Sequence, residues 1–183
     1  AQGSGTVVAL TSNSYSLTGL SSNTSYDVYV QADCGSSVSS SSFASTTTPC
    51  SAVTPYYSQD FNSWTSVSID ACWSEAQGRL GANTTLTGTS SLWTVDGFGN
   101  VGFNGSAKMN IYSTTRDEWL ISPSIDLGTS NNYEFVYDVA FTEWGQTVTA
   151  NVGVDDTLAV VISTDNGATW SLSNALAIYD VNN

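Results

Sequence analysis

The stretch DEWLISPSIDL, from Asp117 to Leu127, is a compact apolar run that ends in a proline and an Asp-Leu-Gly turn. A run of this length, bounded by turn residues, predicts a strand inside a β-sandwich. A second run, LAVVISTD from Leu158 to Asp165, is rich in β-branched residues and predicts a strand buried on both faces. Between them, YEFVYDVAF (133–141) has polar residues at 134 and 138 among apolar ones, which predicts a strand with one solvent-exposed face. Three such strands in succession predict an all-β fold.

The composition excludes several classes of protein. Lys and Arg number 3 against 16 Asp and Glu, a net charge of −13, so we expect neither nucleic-acid binding nor membrane insertion. The chain has no histidine, which excludes Ser-His-Asp catalysis and His-ligated zinc. Charged residues make up only 10% of the chain, well below the usual 25% or so, and hydroxyl residues replace them. Such a composition is typical of secreted or cell-surface β proteins.

Residues 1–49 are predicted to contain short strands at 6–10, 14–17, 26–33 and 42–47. Leu20 lies in a turn and is followed six residues later by Tyr26. This pattern resembles the tyrosine corner of fibronectin type III domains, in which the tyrosine hydroxyl bonds back to the turn. The resemblance implies the C-terminal part of such a domain, without its early strands, and therefore a fragment of a longer protein.

A hydroxyl-rich linker ending at Pro49 leads to a second predicted domain, residues 50–183. Its motifs, in order, are Asp60-Phe61, Cys72-Trp73, the run 118–127 and the segment 158–170. Their order resembles the MAM-like, cleaved-adhesin jelly rolls that Bacteroidetes carry after fibronectin type III domains in exported surface proteins. The resemblance implies a jelly-roll β-sandwich, truncated at its C-terminus, in a non-catalytic surface adhesin or interaction module exported by type IX secretion. Its partners would be an extracellular glycan or a surface protein, together with the secretion machinery.

The same resemblance implies a structural Ca²⁺ ion, which takes six to eight oxygen ligands. The residues that match the ligand positions are Asp60 and Asn62 near the first strand and the acidic pair Asp155 and Asp156 at a strand entry. The alternative is that Asp155 and Asp156 form an ordinary charged turn.

The segment from Ser163 to Trp170 fits the Asp-box pattern, Ser-x-Asp-x-Gly-x-Thr-Trp. We interpret it as a structural turn in which Asp165 accepts backbone N–H bonds, Gly167 adopts a positive φ and Trp170 packs under the turn.

Tryptophans in polar loops are candidates for stacking on sugar rings. Trp144 follows Glu143, whose carboxylate would accept hydroxyl hydrogen bonds, and Trp93 and Trp64 lie in similar loops. These four residues suggest an alternative function, a carbohydrate-binding module attached to a polysaccharide-degrading enzyme. Trp73, Trp119 and Trp170 are interpreted as core residues.

Catalysis would have to come from carboxylate pairs, because a glycosidase needs two of them across a cleft. The candidates are Asp117/Glu118, Glu134/Asp138, Glu143 and Asp155/Asp156, and none follows the spacing of a catalytic strand. We therefore predict no enzymatic activity.

The three cysteines allow at most one internal disulfide. Cys50 precedes the predicted jelly roll and Cys72 lies in its Cys-Trp motif, so a Cys50–Cys72 bond is the first choice. A Cys34–Cys50 bond is the alternative.

Overall fold

Antiparallel strand pairs make up the regular structure of the chain. The computed structural model describes residues 4–65, 69–88, 92–112, 116–129 and 132–182. Within those residues it contains eight strands and two short 3-10 turns, Phe98–Asn100 and Leu172–Asn174. The chain divides into two units, Ala1–Ser51 and Ala52–Asn183. The predicted all-β class is confirmed. None of the described segments is a helix of the length and apolarity needed to cross a bilayer.

The described residues of the first unit contain one two-stranded sheet. Strand β1 (Ser25–Val30) pairs with β2 (Ser42–Thr47) in an antiparallel register that runs from Ser25↔Thr47 to Val30↔Ser42. The hydroxyl of Tyr26 accepts a hydrogen bond of 2.9 Å from the backbone N–H of Ser21, so the predicted tie between this tyrosine and its turn is present. The predicted strands at 6–10 and 14–17 are wrong, because no described neighbour offers these segments backbone hydrogen bonds.

The second unit contains three two-stranded antiparallel sheets within the described residues. Their strands are β3 (Ser74–Gln77) with β6 (Glu118–Ile121), β4 (Thr94–Gly97) with β5 (Gly105–Lys108), and β7 (Leu158–Val161) with β8 (Ala175–Tyr179). The apolar runs 117–127 and 158–165, on which the fold prediction was based, thus contain strands β6 and β7, respectively. A jelly roll requires two packed multistranded layers, and it stays a prediction.

Two aromatic clusters supply much of the buried apolar surface of the second unit. Trp64 contacts the edges of Phe61 and Trp73, with ring centroids 4.7 Å and 5.6 Å away. Trp170 is buried beside Trp119, at a centroid distance of 5.2 Å. Aromatic pairs in these tilted and edge-on arrangements stabilise a core beyond the area that they bury.

The predicted burial of strand β7 on both faces is wrong. All four residues of Leu158–Val161 are half-buried. In the described part of the chain β7 pairs with β8 alone, so it lies at the edge of a two-stranded sheet instead of in the centre of a larger one.

Residues 133–141 also do not form the strand that was predicted for them. The segment is not part of any sheet, and residues 132–140 form no backbone hydrogen bond with described residues. Tyr137 nevertheless holds the segment to β8, because its hydroxyl lies 2.9 Å from the hydroxyl of Tyr179. The ring of Phe141 lies 5.8 Å from that of Tyr179. The alternating sequence therefore produces an anchored segment that pairs with none of the described strands.

Candidate functional site

A short hairpin presents Trp144 to solvent. An isolated bridge joins Thr142 to Thr149, and the N–H of Glu143 donates to the carbonyl of Val148 at 3.0 Å. The N–H of Gln146 donates to the carbonyl of Glu143 at 3.1 Å and closes a four-residue turn. Gly145 adopts φ +64° in this turn, a conformation that glycine tolerates without strain. Trp144 is the other central residue, and its side chain is 70% exposed.

Asn100 fixes this turn from outside the hairpin. Its Nδ2 donates to the hydroxyl of Thr142 at 2.7 Å and to the carbonyl of Gln146 at 2.5 Å, with a longer contact of 3.4 Å to the carbonyl of Glu143. Asn100 ends the 3-10 turn after strand β4 and has φ +62°, which asparagine accepts more readily than most residues. One side chain thus joins the β4–β5 connection to the Trp144 turn.

Lys108, the last residue of β5, completes the arrangement. Its Nζ donates to Oδ1 of Asn100 at 3.0 Å and forms an ion pair with Asp96. The same Nζ lies 5.2 Å from the centroid of the Trp144 ring, within the range of a cation–π interaction. Asp96 and Lys108 lie on paired strands, where Asp96 is opposite Ser106, so they are diagonal neighbours.

The charges of Asp96 and Lys108 balance each other. The hydrogen bond from Lys108 lowers the pKa of Asp96, helped by a bond from the N–H of Gly97, although partial burial acts in the opposite direction. Asp96 is therefore ionised at neutral pH and compensates the charge of Lys108. We call Trp144 with Asp96, Asn100, Lys108 and Glu143 the Trp144 platform.

The platform combines an apolar ring with hydrogen-bonding groups at its margin. The carboxylate-bearing residue Glu143 is exposed next to Trp144, and the Thr142 hydroxyl is half-buried. A flat aromatic surface bordered by a few fixed polar groups is suited to an amphipathic ligand such as a sugar ring. Because Asn100 and Lys108 already hold the turn in one conformation, the turn loses less conformational entropy when a ligand binds.

The other two predicted sugar-stacking tryptophans do not share this exposure. Trp64 is 3% exposed, so its ring offers no face to a ligand and the prediction for it is wrong. Its neighbours Phe61 and Trp73 explain the burial. Trp93 is half-buried, and its backbone N–H donates to Oε2 of Glu75 at 3.1 Å. The structure therefore brings together only Trp144 and Glu143 of the four predicted residues.

Sequence reasoning missed Asn100, Lys108 and Asp96. The contact between Asn100 and Thr142 spans 42 positions in the chain, and no periodicity or motif connects the two segments. One signal was available: Lys108 is one of only 3 basic residues in a chain of net charge −13, so it was certain to attract acidic or aromatic neighbours.

The four predicted calcium ligands form two pairs. Oδ1 of Asp60 accepts the N–H of Asn62 at 3.0 Å and Oδ2 accepts its Nδ2 at 2.9 Å, and these bonds lower the pKa of Asp60. Asp155 and Asp156 place their carboxylates around Gly153, where a Cβ would collide with Oδ2 of Asp156.

Each pair offers part of a calcium coordination shell, and Ca²⁺ needs six or more oxygens. No group of three or more His, Cys, Asp or Glu side chains suited to a metal occurs in the described ranges, so Asp60 does not join Asp155 and Asp156 in such a group.

The Asp-box segment folds as a turn. Oδ1 of Asp165 accepts the N–H of Thr169 at 3.0 Å, and its carboxylate also accepts the hydroxyls of Ser163 at 2.6 Å and Thr169 at 2.5 Å. These bonds, first that from Ser163, lower the pKa of Asp165 to about 2. Gly167 has φ +80°, and a Cβ there would lie 3.9 Å from the ring of Trp170. The predicted roles of all three residues in this turn are confirmed.

Asp117 and Glu118, the first pair of candidate catalytic carboxylates, lie at the start of strand β6. Glu118 begins β6 opposite Gln77, and its Oε1 accepts the side-chain amide of Gln77 at 3.0 Å. Together with Asp117, Gly78 and Thr87 these residues line an open cavity of about 310 Å³. Asp117 precedes β6 by one residue, and its backbone carbonyl accepts the N–H of Gly78 at 2.8 Å.

The three cysteines differ in their oxidation state. Cys50 and Cys72 are both disulfide-bonded. Cys34 is a free, exposed thiol, which excludes the Cys34–Cys50 alternative.

Comparisons with protein-family models, with curated proteins and with solved structures found no match for this chain. The fibronectin type III and MAM-like resemblances therefore stay predictions from the residues that carry them.

Proposed function

We propose that this chain is a non-catalytic binding module of an exported surface protein and that it binds a glycan at the Trp144 platform. The observation that carries this proposal is the 70% exposure of Trp144 at the tip of a turn that Asn100 fixes through three hydrogen-bonding contacts. Apart from its contact with Lys108, the exposed indole contributes little to the hairpin, and the hydrogen bonds that hold its turn favour a ligand-binding role.

The proposal combines the two functions that the sequence suggested. An adhesin that recognises a glycan on another surface and a carbohydrate module attached to an enzyme use the same chemistry, ring stacking plus hydrogen bonds to hydroxyl groups. A neutral glycan is the better ligand class, because the single cation of the platform, Lys108, is already paired with Asp96 and the net charge of −13 repels anionic sugars.

Calcium belongs to the proposal as a structural ion. Asp155 and Asp156 are its best-supported ligands, because two carboxylates crowded around Gly153 repel each other and a divalent cation would relieve that repulsion. Asp60 is less available, because both of its carboxylate oxygens already bond to Asn62. Export by type IX secretion and a cell-surface location rest on the resemblance alone.

A glycan array probed with the protein in calcium and again in chelator tests the proposal. We expect binding to one class of neutral glycans. An array without any bound glycan, in either condition, would refute the glycan-binding function.

A further inference from the structure

The segment from Tyr133 to Ala140 has the sequence of a strand, and none of the described strands lies beside it. Apolar residues occupy positions 133, 135, 137 and 139, and Glu134 and Asp138 lie on the opposite face with Val136. No backbone group of residues 132–140 bonds to another described residue. Among the described residues, the backbone donors and acceptors of this strand-forming segment thus have no partner, and a neighbouring strand could satisfy them.

Side-chain contacts hold the segment in place although its backbone bonds to none of the described residues. The rings of Phe135 and Tyr137 stack with centroids 5.4 Å apart, and Tyr137 bonds to Tyr179 of strand β8 at 2.9 Å between the two hydroxyls. The hydroxyl of Tyr133 donates to the carbonyl of Leu127 at 2.9 Å. These anchors reduce the ordering cost that a loose segment would incur on binding.

The exposed side chains of the segment indicate which kind of partner would bind there. Phe135 is 58% exposed and Val136 is 76% exposed, so apolar side chains face solvent on both sides of the segment. A neighbouring strand would bury these side chains and satisfy the backbone at the same time, as in recognition by β-strand addition.

The negative charge of the segment limits which kind of strand could pair with it. Glu134 and Asp138 are four positions apart on one face, and the whole chain carries −13. A second copy of the chain would bring like charges together across the new ladder, which is destabilising. A strand with Lys or Arg at two positions four residues apart would place a cation beside each carboxylate.

We propose that residues 133–140 are a docking site for an extended segment of another protein, a β-strand of apolar residues that carries two basic residues four positions apart. The segment adds to this chain as an antiparallel or parallel neighbour of residues 133–140. This interaction surface is separate from the Trp144 platform and does not depend on the proposed glycan binding.

Synthetic peptides test the proposal by calorimetry and hydrogen exchange on the intact chain. The basic peptide has β-branched residues with two lysines four positions apart, and its matched control has glutamates at those two positions. We expect the basic peptide to bind at least about tenfold more tightly and to slow amide exchange within residues 133–140.

Two variants make the test specific. Val136→Pro removes one backbone N–H and blocks pairing, whereas Val136→Thr keeps both the N–H and the β-branch, so binding is lost in the first and retained in the second. The double change Glu134→Lys with Asp138→Lys inverts the preference between the two peptides.

Equal binding of both peptides by the wild-type chain, or unchanged binding by Val136→Pro, would overturn the proposal. A concentration-dependent dimer that forms without peptide and disappears in Val136→Pro would also overturn it, because the occupant would then be a second copy of the chain. If the double charge variant does not fold, the comparison of Val136→Pro with Val136→Thr still decides the matter.

Discussion

The Nζ of Lys108 lies 5.2 Å from the centroid of the Trp144 ring, while the same ammonium group is bonded to Asp96 and Asn100. A lysine with this many partners has little rotamer freedom left, and it holds a cation beside the aromatic ring. The relationship joins the end of strand β5 to the tip of a distant turn. It defines the part of the molecule that is best prepared to contact a ligand.

Asn100→Ala tests whether the hydrogen bonds from Asn100 to the Trp144 turn contribute to glycan binding. The substitution leaves the carbonyl of Gln146 and the hydroxyl of Thr142 without their donor, so the turn becomes more mobile while Trp144 remains. We expect glycan affinity to fall about tenfold, measured by calorimetry. Asn104→Ala, in the same β4–β5 connection, is the matched control and leaves the affinity unchanged. Equal glycan affinities of the two variants would show that the hydrogen bonds of Asn100 do not contribute to binding.

Asp165→Asn is predicted to destabilise the Asp-box turn in a pH-dependent way. The folded-state pKa of about 2 lies below the ordinary value of 3.8, so ionised Asp165 stabilises the fold above pH 4 or so and loses this effect as the pH falls towards 2. The difference in Tm between wild type and Asp165→Asn should therefore be largest above pH 4 and shrink as the pH falls towards 2. Asp138→Asn, an exposed carboxylate, is the control. A constant Tm difference across this pH range would contradict the predicted linkage.

Trp64→Ala tests the assignment of Trp64 to the core. The ring is 3% exposed and packs on Phe61 and Trp73, so its removal leaves a cavity among aromatic side chains. We expect the free energy of unfolding to fall by about 3–5 kcal/mol in chemical denaturation. Trp144→Ala removes an exposed ring and should change it by about 1 kcal/mol or less. Similar losses in the two variants would mean that Trp64 is not a core residue.

Calcium is predicted to raise the Tm of the chain, because an ion that binds only the folded state stabilises it by mass action. The double change Asp155→Asn with Asp156→Asn should remove this rise, measured by calorimetry in calcium and in chelator. Asp60→Asn is the comparison, and it should preserve most of the rise, since Asp60 is engaged with Asn62. Identical Tm values in calcium and chelator for the wild-type chain would refute the calcium proposal.

Local patterns were predictive where local chemistry decides the structure. The Asp-box turn depends on residues within a span of eight, Ser163 to Trp170, and its bonds follow from side chains that reach their own backbone. The tie from Tyr26 to Ser21 spans only five positions, and the resemblance to the tyrosine corner implied it. The all-β class follows from apolar runs that end in turn residues.

Pairing between distant segments was not predictable in the same way. The alternation of residues 133–141 indicates a strand but says nothing about whether a partner strand lies beside it. The burial of Leu158–Val161 depends on how many strands surround it. Among the described residues, β7 pairs with β8 alone. The bonds of Asn100 to the Trp144 turn depend on tertiary approach over more than 40 positions, which residue types alone do not encode.

The most direct test of the proposed function is the affinity of three chains for the glycan that the array identifies: wild type, Trp144→Ala and Trp144→Tyr. The account predicts that Trp144→Ala lowers the affinity at least about a hundredfold, whereas Trp144→Tyr, which keeps an aromatic face, loses about tenfold or less. Retention of wild-type affinity by a folded Trp144→Ala chain would contradict the central claim that a sugar ring stacks on this indole.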